Sequence, residues 1–355
     1  MTLTDAALQR RMDAAVDKAR GPRTSGPELR VHLADGREAR AAAPDAYATH
    51  AVASVTKLVA AVWVLRHVHE GVVSLEQPIA SILPAGDLTG LNRHGGTDHA
   101  ATITLRDALA HTSGIPDYYA RKRLDPRSDI AATTAADPGW TYDEALDIAR
   151  GLDAKFAPHS GRMQYSFTNY QLVGRVIETL AGVPLATALQ RDLFDPLGLT
   201  DTALITPDDL GPFEHATPIL FGTQSYLGAR RLASLGAEGA LVSSTADMVR
   251  FLTAVIDGDI LDERMLALAL TDRLPLVPRA EYGVGIISLR LPRLITGCPH
   301  AEPLVGHAGM TGFSLFADRR CGITIASTTN QLAPGAASTK LMLRGLRAAH
   351  KQLRG

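Results

Sequence analysis

Apolar residues fill every turn of a helix that the pattern predicts from about Ser54 to Glu70. Residues 58–65 present apolar side chains on all sides, which is typical of a helix in the middle of a protein. Gly71 follows and predicts the end of the helix. Because this run is far shorter than the roughly 18 residues that a membrane span needs, no membrane partner is expected.

Short apolar and alternating runs predict strands towards both ends of the chain. Residues 29–34 and 37–43 flank Asp35-Gly36, a dipeptide suited to a tight hairpin turn. Later strand patterns cover residues 239–242, 282–289, 303–307, 312–317 and 322–328. Amphipathic helices are predicted at the beginning of the chain and over residues 336–352. These patterns together predict an antiparallel sheet flanked by helices.

The middle of the chain, residues 75–235, has a different pattern with few alternating strands. Its short helical patterns cover residues 105–110, 142–151, 170–181 and 185–194. The helix at 170–181 is expected to be capped by Thr168 or Asn169. The expected fold class is α+β, in which residues 1–74 and 236–355 form a discontinuous sheet domain and residues 75–235 form an inserted, mainly helical domain.

Composition and charge narrow the function classes. Apolar residues make up 46% and charged residues 21% of the 355 residues, and the net charge is −1, so no nucleic-acid partner is expected. The N-terminal segment has no apolar signal region, which favours a cytoplasmic location. Cys298 and Cys321 provide no disulfide framework and no metal-binding motif, and are expected to be reduced core thiols. No metal or cofactor is expected.

Three segments contain residues capable of acyl-transfer chemistry. Ser54 and Lys57 are three residues apart on one helix face, a spacing at which an amine can activate a hydroxyl nucleophile. The phenol of Tyr165 can serve as a general acid or base. His307, at a predicted strand end, can hold a substrate carboxylate or pass protons. Taken one at a time, Tyr165 and His307 are more typical of structural roles.

The order of these segments resembles the serine β-lactamase and penicillin-binding-protein superfamily. The Ser-x-x-Lys motif matches residues 54–57, Tyr165 matches the tyrosine of the Tyr-x-Asn element, and His-Ala-Gly at 307–309 stands in the place of Lys-Thr-Gly. Residues 111–116 and 239–248 resemble further stretches of the family. The similarity points to the branch of class C β-lactamases, D-alanyl-D-alanine carboxypeptidases, D-aminopeptidases and β-lactamase-like esterases.

The resemblance implies the β-lactamase/transpeptidase fold and an acyl-enzyme formed on Ser54. Lys57 and Tyr165 would share the proton transfers, and the main-chain N–H groups of Ser54 and Met310 would form the oxyanion hole. The substrate-binding positions that it implies are His307, Ala308, Gly309 and Phe167.

Phe167 departs from the family pattern, which has asparagine at this position. An asparagine amide there hydrogen-bonds the acyl side-chain amide of peptides and β-lactams and helps to hold the lysine, and phenylalanine does neither. The change favours esters, thioesters or unusual amides with an apolar acyl group. His307 also replaces a lysine, and because histidine has an ordinary pKa of about 6.5, no strong requirement for a substrate carboxylate is predicted.

The leading functional hypothesis is a cytoplasmic serine hydrolase that acts on a small ester or amide. An acyltransferase that passes the acyl group to an acceptor other than water would use the same residues. A β-lactamase or D-amino-acid peptidase is a further alternative, and Phe167 keeps an inactive binding homologue open. The expected partner is a small-molecule substrate, and the sequence leaves the oligomeric state open.

Overall fold

An eight-stranded antiparallel sheet organises the protein, whose structure is a computed structural model that describes residues 6–122, 139–292, 302–332 and 336–353. The strands are β1 (Glu28–Leu33), β2 (Glu38–Ala42), β3 (His50–Ala51), β4 (Arg93–His94), β5 (Thr97–Asp98), β6 (Ala203–Leu204), β7 (Leu220–Phe221), β8 (Gln224–Ser225), β9 (Leu241–Ser243), β10 (Leu274–Val277), β11 (Ala280–Tyr282), β12 (Ile287–Leu289), β13 (Leu304–Ala308), β14 (Ser314–Asp318) and β15 (Ile323–Thr328). The order in the main sheet is β10-β11-β12-β13-β14-β15-β1-β2. Strands from early and late sequence therefore meet where β1 pairs with β15.

Helices cover both faces of this sheet. They are α1 (Ala6–Asp17), α2 (Val55–His69), α3 (Ala85–Leu88), α4 (Leu105–Leu109), α5 (Tyr118–Lys122), α6 (Tyr142–Arg150), α7 (Phe167–Ala181), α8 (Leu185–Leu189), α9 (Asp195–Leu197), α10 (Gly211–Glu214), α11 (Ala229–Ala233), α12 (Thr245–Asp257), α13 (Glu263–Ala269) and α14 (Ala336–Gln352). Helices α1 and α14 pack together on one face, and α2 and α12 pack on the other. The sheet is therefore the middle of three layers.

Strand β15 has apolar side chains on both sides because both faces of the sheet are covered. Ile323 and Ile325 join the apolar cluster under α1 and α14, whereas Ala326 joins the cluster that contains α2. All six residues of the strand are therefore buried, including its hydroxyl residues Thr324, Ser327 and Thr328.

Helix α2 lies in the centre of the protein, as its apolar pattern predicts. All of its residues from Val55 to Leu65 are buried, and Ser54 occupies the N-cap position. The helix ends before Gly71, which adopts a φ of 74° that favours glycine. Ser54 is therefore fixed at the start of a rigid, fully packed helix.

Three strand predictions need correction. The predicted strand at 239–242 is β9, which pairs with β3 and β6 in a separate three-stranded sheet and not in the main sheet. The predicted strand at 282–289 is two strands, β11 and β12, because Gly283 donates a hydrogen bond to the Ile286 carbonyl across a turn. Strand β10 was not predicted, since Pro275 lies within this short segment and is tolerated only because the strand is at the edge of the sheet.

The expected cap of the helix at 170–181 is wrong. Helix α7 begins at Phe167, and its N-cap residue is Ser166. The Thr168 hydroxyl instead donates a hydrogen bond of 2.6 Å to the carbonyl of Pro116, and Asn169 accepts one from Ser113. Both polar side chains therefore tie α7 to the loop before α5.

The middle region contains short helices and, in addition, two-residue strands such as β4 and β5. Capping boxes at Thr104 and Thr141 begin α4 and α6. Within the described residues, no single helix has the length and apolar content to cross a bilayer, and only the pair Phe167–Ala181 and Leu185–Leu197, bent by 70°, meets those criteria when taken together. The division into a sheet domain and an inserted domain at residues 75 and 235 stays a prediction.

The prediction that the cysteines are reduced core thiols holds only in part for Cys321. Cys321 forms no disulfide; it is only half-buried, because it lies in the turn between β14 and β15, and it packs against the edge of the core and not inside it as expected. Cys298 lies outside the described residues.

Candidate active site

Ser54 lies on a tight turn between β3 and α2. Its side chain is almost fully buried, with 7% of its surface exposed. The preceding residue, Ala53, has a φ of 47°, a conformation that residues with a side chain rarely adopt and that occurs most often at functional sites. The turn places the Ser54 hydroxyl at the positive end of the α2 dipole, where developing negative charge is stabilised.

Lys57 is one turn further along α2 and is completely buried. Its Nζ lies 3.4 Å from the Ser54 Oγ and donates a hydrogen bond of 2.5 Å to the main-chain carbonyl of Glu238. The ring of Phe167 faces the same amine, with its centroid 4.2 Å from Nζ. The amine is therefore held beside the hydroxyl by one carbonyl and an aromatic face. The expectation that Phe167 takes no part in holding the lysine is wrong, because its ring takes the place of a hydrogen-bonding amide.

Burial lowers the pKa of Lys57 from 10.5 to about 8, although the charges of Glu238 and Asp117 act in the opposite direction. Desolvation disfavours the charged form of an amine, which explains the direction. A substantial fraction of Lys57 is therefore neutral at mildly alkaline pH and able to accept a proton from a neighbouring hydroxyl.

Tyr165 faces the same serine from the loop before α7. Its phenol forms a hydrogen bond with Ser54, and the centre of its ring lies 5.3 Å from the Lys57 Nζ. Although the side chain is half-exposed to the cavity, burial of the hydroxyl raises its pKa above the ordinary value. Tyr165 therefore keeps its proton at neutral pH. Ser54, Lys57 and Tyr165 therefore lie close together in the structure.

The turn after β13 approaches the segment before Ser54 very closely. The Thr311 hydroxyl donates a hydrogen bond of 2.7 Å to the carbonyl of Ala51, and a Cβ added at Gly309 would lie only 2.3 Å from the carbonyl oxygen of Val52. Glycine is thus required at 309 for this contact. Among the hydrogen bonds of the described residues, neither the Ser54 N–H nor the Met310 N–H donates to a protein acceptor.

His307 is buried and belongs to a chain of hydroxyl groups that leads away from Ser54. Its Nε2 lies 3.2 Å from the Tyr282 hydroxyl, which lies 3.4 Å from the Tyr170 hydroxyl. The Tyr170 hydroxyl in turn donates to the carbonyl of Leu109. Burial, with a smaller contribution from the charge on Lys57, lowers the pKa of His307 to about 3. His307 is therefore neutral at physiological pH.

A cavity of about 730 Å³ opens beside the Ser54 hydroxyl. Phe167 forms one wall, and its ring stacks on that of Tyr119 at a centroid distance of 4.5 Å. The polar groups in its lining include Ser54, Tyr165, His307 and Asp117. The remaining wall is mainly aliphatic, with Leu276, Val277, Ile287, Leu289, Leu291, Phe316 and Met342. Such a lining suits an apolar group better than a charged one.

Two carboxyl groups near Lys57 were missed by the sequence analysis. The Asp117 carboxylate accepts the main-chain N–H groups of Tyr119 and Phe167, both at 3.1 Å, and burial raises its pKa. Glu238 is completely buried and accepts a hydrogen bond from the Tyr118 hydroxyl. Asp117 follows the family-like stretch at 111–116 directly, and this adjacency was the available signal.

His111 lies in a segment for which the resemblance implies a structural role. Its ring lies 4.2 Å from the ring of Tyr165. The Nδ1 atom accepts the Ser166 N–H, and among the described residues Nε2 is buried without a hydrogen-bond partner. Burial, the charge of Lys57 and the charge of His307 lower the pKa of His111 well below its ordinary value. His111 is therefore a neutral ring that supports Tyr165.

Comparisons with known proteins show the family and the fold of this chain. The Beta-lactamase family model matches residues 28–349. Esterase EstB from Burkholderia gladioli is 25% identical over 80% of this chain and 78% of its own length. Among solved structures, D-amino acid amidase from Ochrobactrum anthropi SV3 superposes with a TM-score of 0.79 at 24% identity, covering 99% of this chain and 100% of that one.

A third relative, EstCE1, is described as a hydrolase with promiscuous acyltransferase activity. It superposes with a TM-score of 0.77 at 18% identity and covers 96% of this chain and 98% of its own. At these identities the two structural matches bear on the fold alone. The expected α+β fold, an antiparallel sheet flanked by helices, is confirmed.

Proposed function

This chain belongs to the beta-lactamase family, and from that membership we propose that it is a serine hydrolase that cleaves small esters with an apolar acyl group through an acyl-enzyme on Ser54. The observation that carries the proposal is the convergence of Ser54, Lys57 and Tyr165 at one end of an apolar cavity. A hydroxyl nucleophile needs a base within hydrogen-bond reach, and Lys57 satisfies this condition.

In the first step, the Ser54 Oγ attacks the ester carbonyl as its proton passes to the neutral amine of Lys57. The lowered pKa of Lys57 supports this role, since an amine with an ordinary pKa would already be protonated. The carbonyl oxygen becomes an oxyanion that the main-chain N–H groups of Ser54 and Met310 can stabilise. One such donor is typically worth about a hundredfold or more in rate.

In the second step, Tyr165 donates its proton to the leaving alkoxide as the C–O bond breaks, and Lys57 returns a proton to the phenol. The raised pKa of Tyr165 supports the role of an acid, because the phenol is protonated when the step begins. Water then attacks the acyl-enzyme by the reverse sequence of proton transfers and releases the acid. Ser54 is restored with its proton.

The apolar wall of the cavity determines the class of acyl group. Each methylene buried there contributes about 0.8 kcal/mol, which corresponds to roughly a fourfold gain in kcat/KM until the cavity is filled. The stacked rings of Phe167 and Tyr119 form an aromatic part of this wall, and Phe167 has no amide to hydrogen-bond a peptide side chain. Simple acyl esters are therefore favoured over peptides and β-lactams.

Two variations use the same acyl-enzyme. An alcohol or amine that reaches the site in place of water would turn hydrolysis into acyl transfer, and EstCE1 is a family relative described with such activity. The Asp117 carboxylate in the cavity wall favours, as a second candidate, acyl groups that carry an amine, such as amino-acid amides. The D-amino acid amidase neighbour is consistent with this candidate.

The proposal is tested by intact-mass measurement after exposure to a fluorophosphonate and to nitrophenyl esters of increasing acyl length. We expect one adduct per chain on Ser54 and a kcat/KM that rises from acetate to medium-length acyl groups. Amino-acyl esters and amides form a second substrate series, and added alcohols report acyl transfer through new ester products.

Matched serine variants separate the nucleophile from other hydroxyls in the same cavity. Ser54→Ala should abolish both the adduct and turnover. Ser314→Ala, which removes another hydroxyl from the cavity wall, should keep both. Ester turnover by Ser54→Ala at the parent rate would overturn the mechanism.

A further inference from the structure

We infer that Asp318, Cys321 and His350 form a binding site for one zinc ion. One ligand atom from each of the three side chains lies within 4.8 Å of the other two. The His350 Nε2 is 2.8 Å from the Asp318 Oδ2, so two of the three ligand atoms are already in direct contact. The cluster lies at the far end of α14 from the residues that line the active-site cavity.

The three ligands come from different elements. Asp318 is the last residue of β14, Cys321 lies in the following turn, and His350 is in the last turn of α14. The His350 and Asp318 side chains are buried, with 4% and 8% of their surfaces exposed, whereas Cys321 is half-exposed. The exposed side provides an entry path and room for a water molecule as a fourth ligand.

Sulfur, imidazole nitrogen and carboxylate oxygen are the atoms that zinc takes in proteins. Bond lengths of about 2.0–2.3 Å in a tetrahedral site place neighbouring ligand atoms roughly 3.5 Å apart. The pair formed by His350 and Asp318, now 2.8 Å apart, would therefore open by somewhat less than 1 Å. The thiol lies within 4.8 Å of both atoms and would move inwards by about 1.3 Å at most. Binding replaces the thiol proton, which is released to solvent.

The second oxygen of Asp318 is already fixed by the main chain. Oδ1 accepts the N–H of Cys321 at 3.0 Å, which leaves Oδ2 turned towards His350. Hydrogen bonds of this kind orient metal-binding carboxylates. The two arginines of the same turn pair elsewhere, Arg319 with Glu263 at 2.9 Å and Arg320 with Glu302 at 3.2 Å.

A zinc ion at this position would fasten the end of α14 to the turn between β14 and β15. The same helix contributes Thr339 and Met342 to the wall of the active-site cavity. Because the ion binds the folded chain and has no preformed site in the unfolded one, it should stabilise the helix in its packed position.

The test uses the full chain after treatment with a chelator and removal of that chelator. Titration with Zn²⁺ should give one ion per chain in calorimetry and raise the melting temperature. Titration with Co²⁺ should give an absorption band from thiolate-to-metal charge transfer. Cys321→Ser and His350→Gln should each weaken Zn²⁺ binding by at least about a hundredfold, since loss of a merely orienting residue already costs 10–100-fold.

Two control variants are matched to these changes. His69→Gln removes a histidine from an exposed pair with Asp262 at 3.5 Å and should leave Zn²⁺ binding unchanged. Cys298→Ser removes the other cysteine and should leave the Co²⁺ band unchanged. The inference is overturned if the parent protein binds no stoichiometric Zn²⁺, or if folded Cys321→Ser and His350→Gln, judged by circular dichroism, bind as tightly as the parent. The Co²⁺ spectrum of the parent decides the matter even if both variants fail to fold.

Discussion

The aromatic face of Phe167 is expected to set the pH at which the enzyme becomes active. Its ring centroid lies 4.2 Å from the Lys57 Nζ, and a cation at that distance from a ring is stabilised. Phe167→Leu removes the ring but keeps the wall apolar and dry. Because the proposed mechanism needs the neutral amine, the variant should reach its maximal rate at a lower pH than the parent.

The size of the shift follows from the geometry. A cation–π contact shielded from water is worth roughly 1–2 kcal/mol, and one pKa unit corresponds to about 1.36 kcal/mol. The pKa of Lys57, about 8 in the parent, should therefore fall by roughly one unit in Phe167→Leu. The rings of Tyr165 and Tyr170, with centroids at 5.3 and 5.5 Å from the amine, remain and limit the decrease.

The assay is kcat/KM for an uncharged ester from mildly acidic to mildly alkaline pH, because its profile reports the pKa of groups in the free enzyme. In the parent, kcat/KM should rise about tenfold per pH unit and level off above the pKa of Lys57. The rate of inactivation by a fluorophosphonate should follow the same curve, since it requires the same activated hydroxyl. The variant should shift both curves together.

Phe156→Leu is the matched control for this experiment. Phe156 faces another cation, with the Arg162 guanidinium 4.9 Å from its ring centroid. Its loss should reduce stability through the buried volume removed, but should not move the pH profile. A midpoint that stays in place or rises in Phe167→Leu would refute the reasoning about the ring and the amine.

Two other predictions concern the buried titratable groups His307 and Glu28. Because burial lowers the pKa of His307 to about 3, its imidazole is neutral and should give no advantage to a substrate that carries a carboxylate. When that carboxylate is converted to its methyl ester, the substrate should react at least as fast. A large preference for the carboxylate form would contradict this prediction. Burial alone would raise the pKa of Glu28, but hydrogen bonds from His50 and Arg40 outweigh it and lower the pKa from 4.5 to about 2. The ionised Glu28 carboxylate therefore stabilises the fold. This stabilisation is complete above pH 4.5 and is lost as the pH falls towards 2. Glu28→Gln should lower the free energy of unfolding, measured in urea at neutral pH, by about 3 kcal/mol. The control Glu38→Gln, at a more exposed carboxylate, should lower it by about 0.5 kcal/mol or less. Equal losses in the two variants would contradict the stabilising role of the buried Glu28 carboxylate.

The elements around Ser54 were predictable from sequence because their patterns are strong. An apolar run on all sides leaves only a buried position for α2, and Asp35-Gly36 determines the hairpin of β1 and β2. Strand β10 escaped prediction because its four residues include Pro275, which argues against a strand except at the edge of a sheet. The separate pairing of β9 depends on partners that are distant in sequence, which local periodicity does not report.

The residues of the candidate site were likewise predictable from spacing only where they lie close together in the sequence. Ser54 and Lys57 share one helix turn, so their proximity follows from spacing alone. The carboxyl groups of Asp117 and Glu238 reach Lys57 only through tertiary packing, and no motif joins them. The cluster of Asp318, Cys321 and His350 was missed for the same reason, since two ligands come from a turn and the third from a helix that folds back onto it.

The pairing of β1 with β15 has a consequence for the synthesis of this protein. Glu28 lies opposite Thr328 in that pair. During synthesis, Ser54 therefore emerges from the ribosome long before β15, the strand that pairs with β1. The Met310 N–H and the helix that closes the cavity are also made late. A nascent chain from which β15 has not yet emerged should therefore be unable to form an acyl-enzyme, and such distant pairing is intrinsically slow to fold.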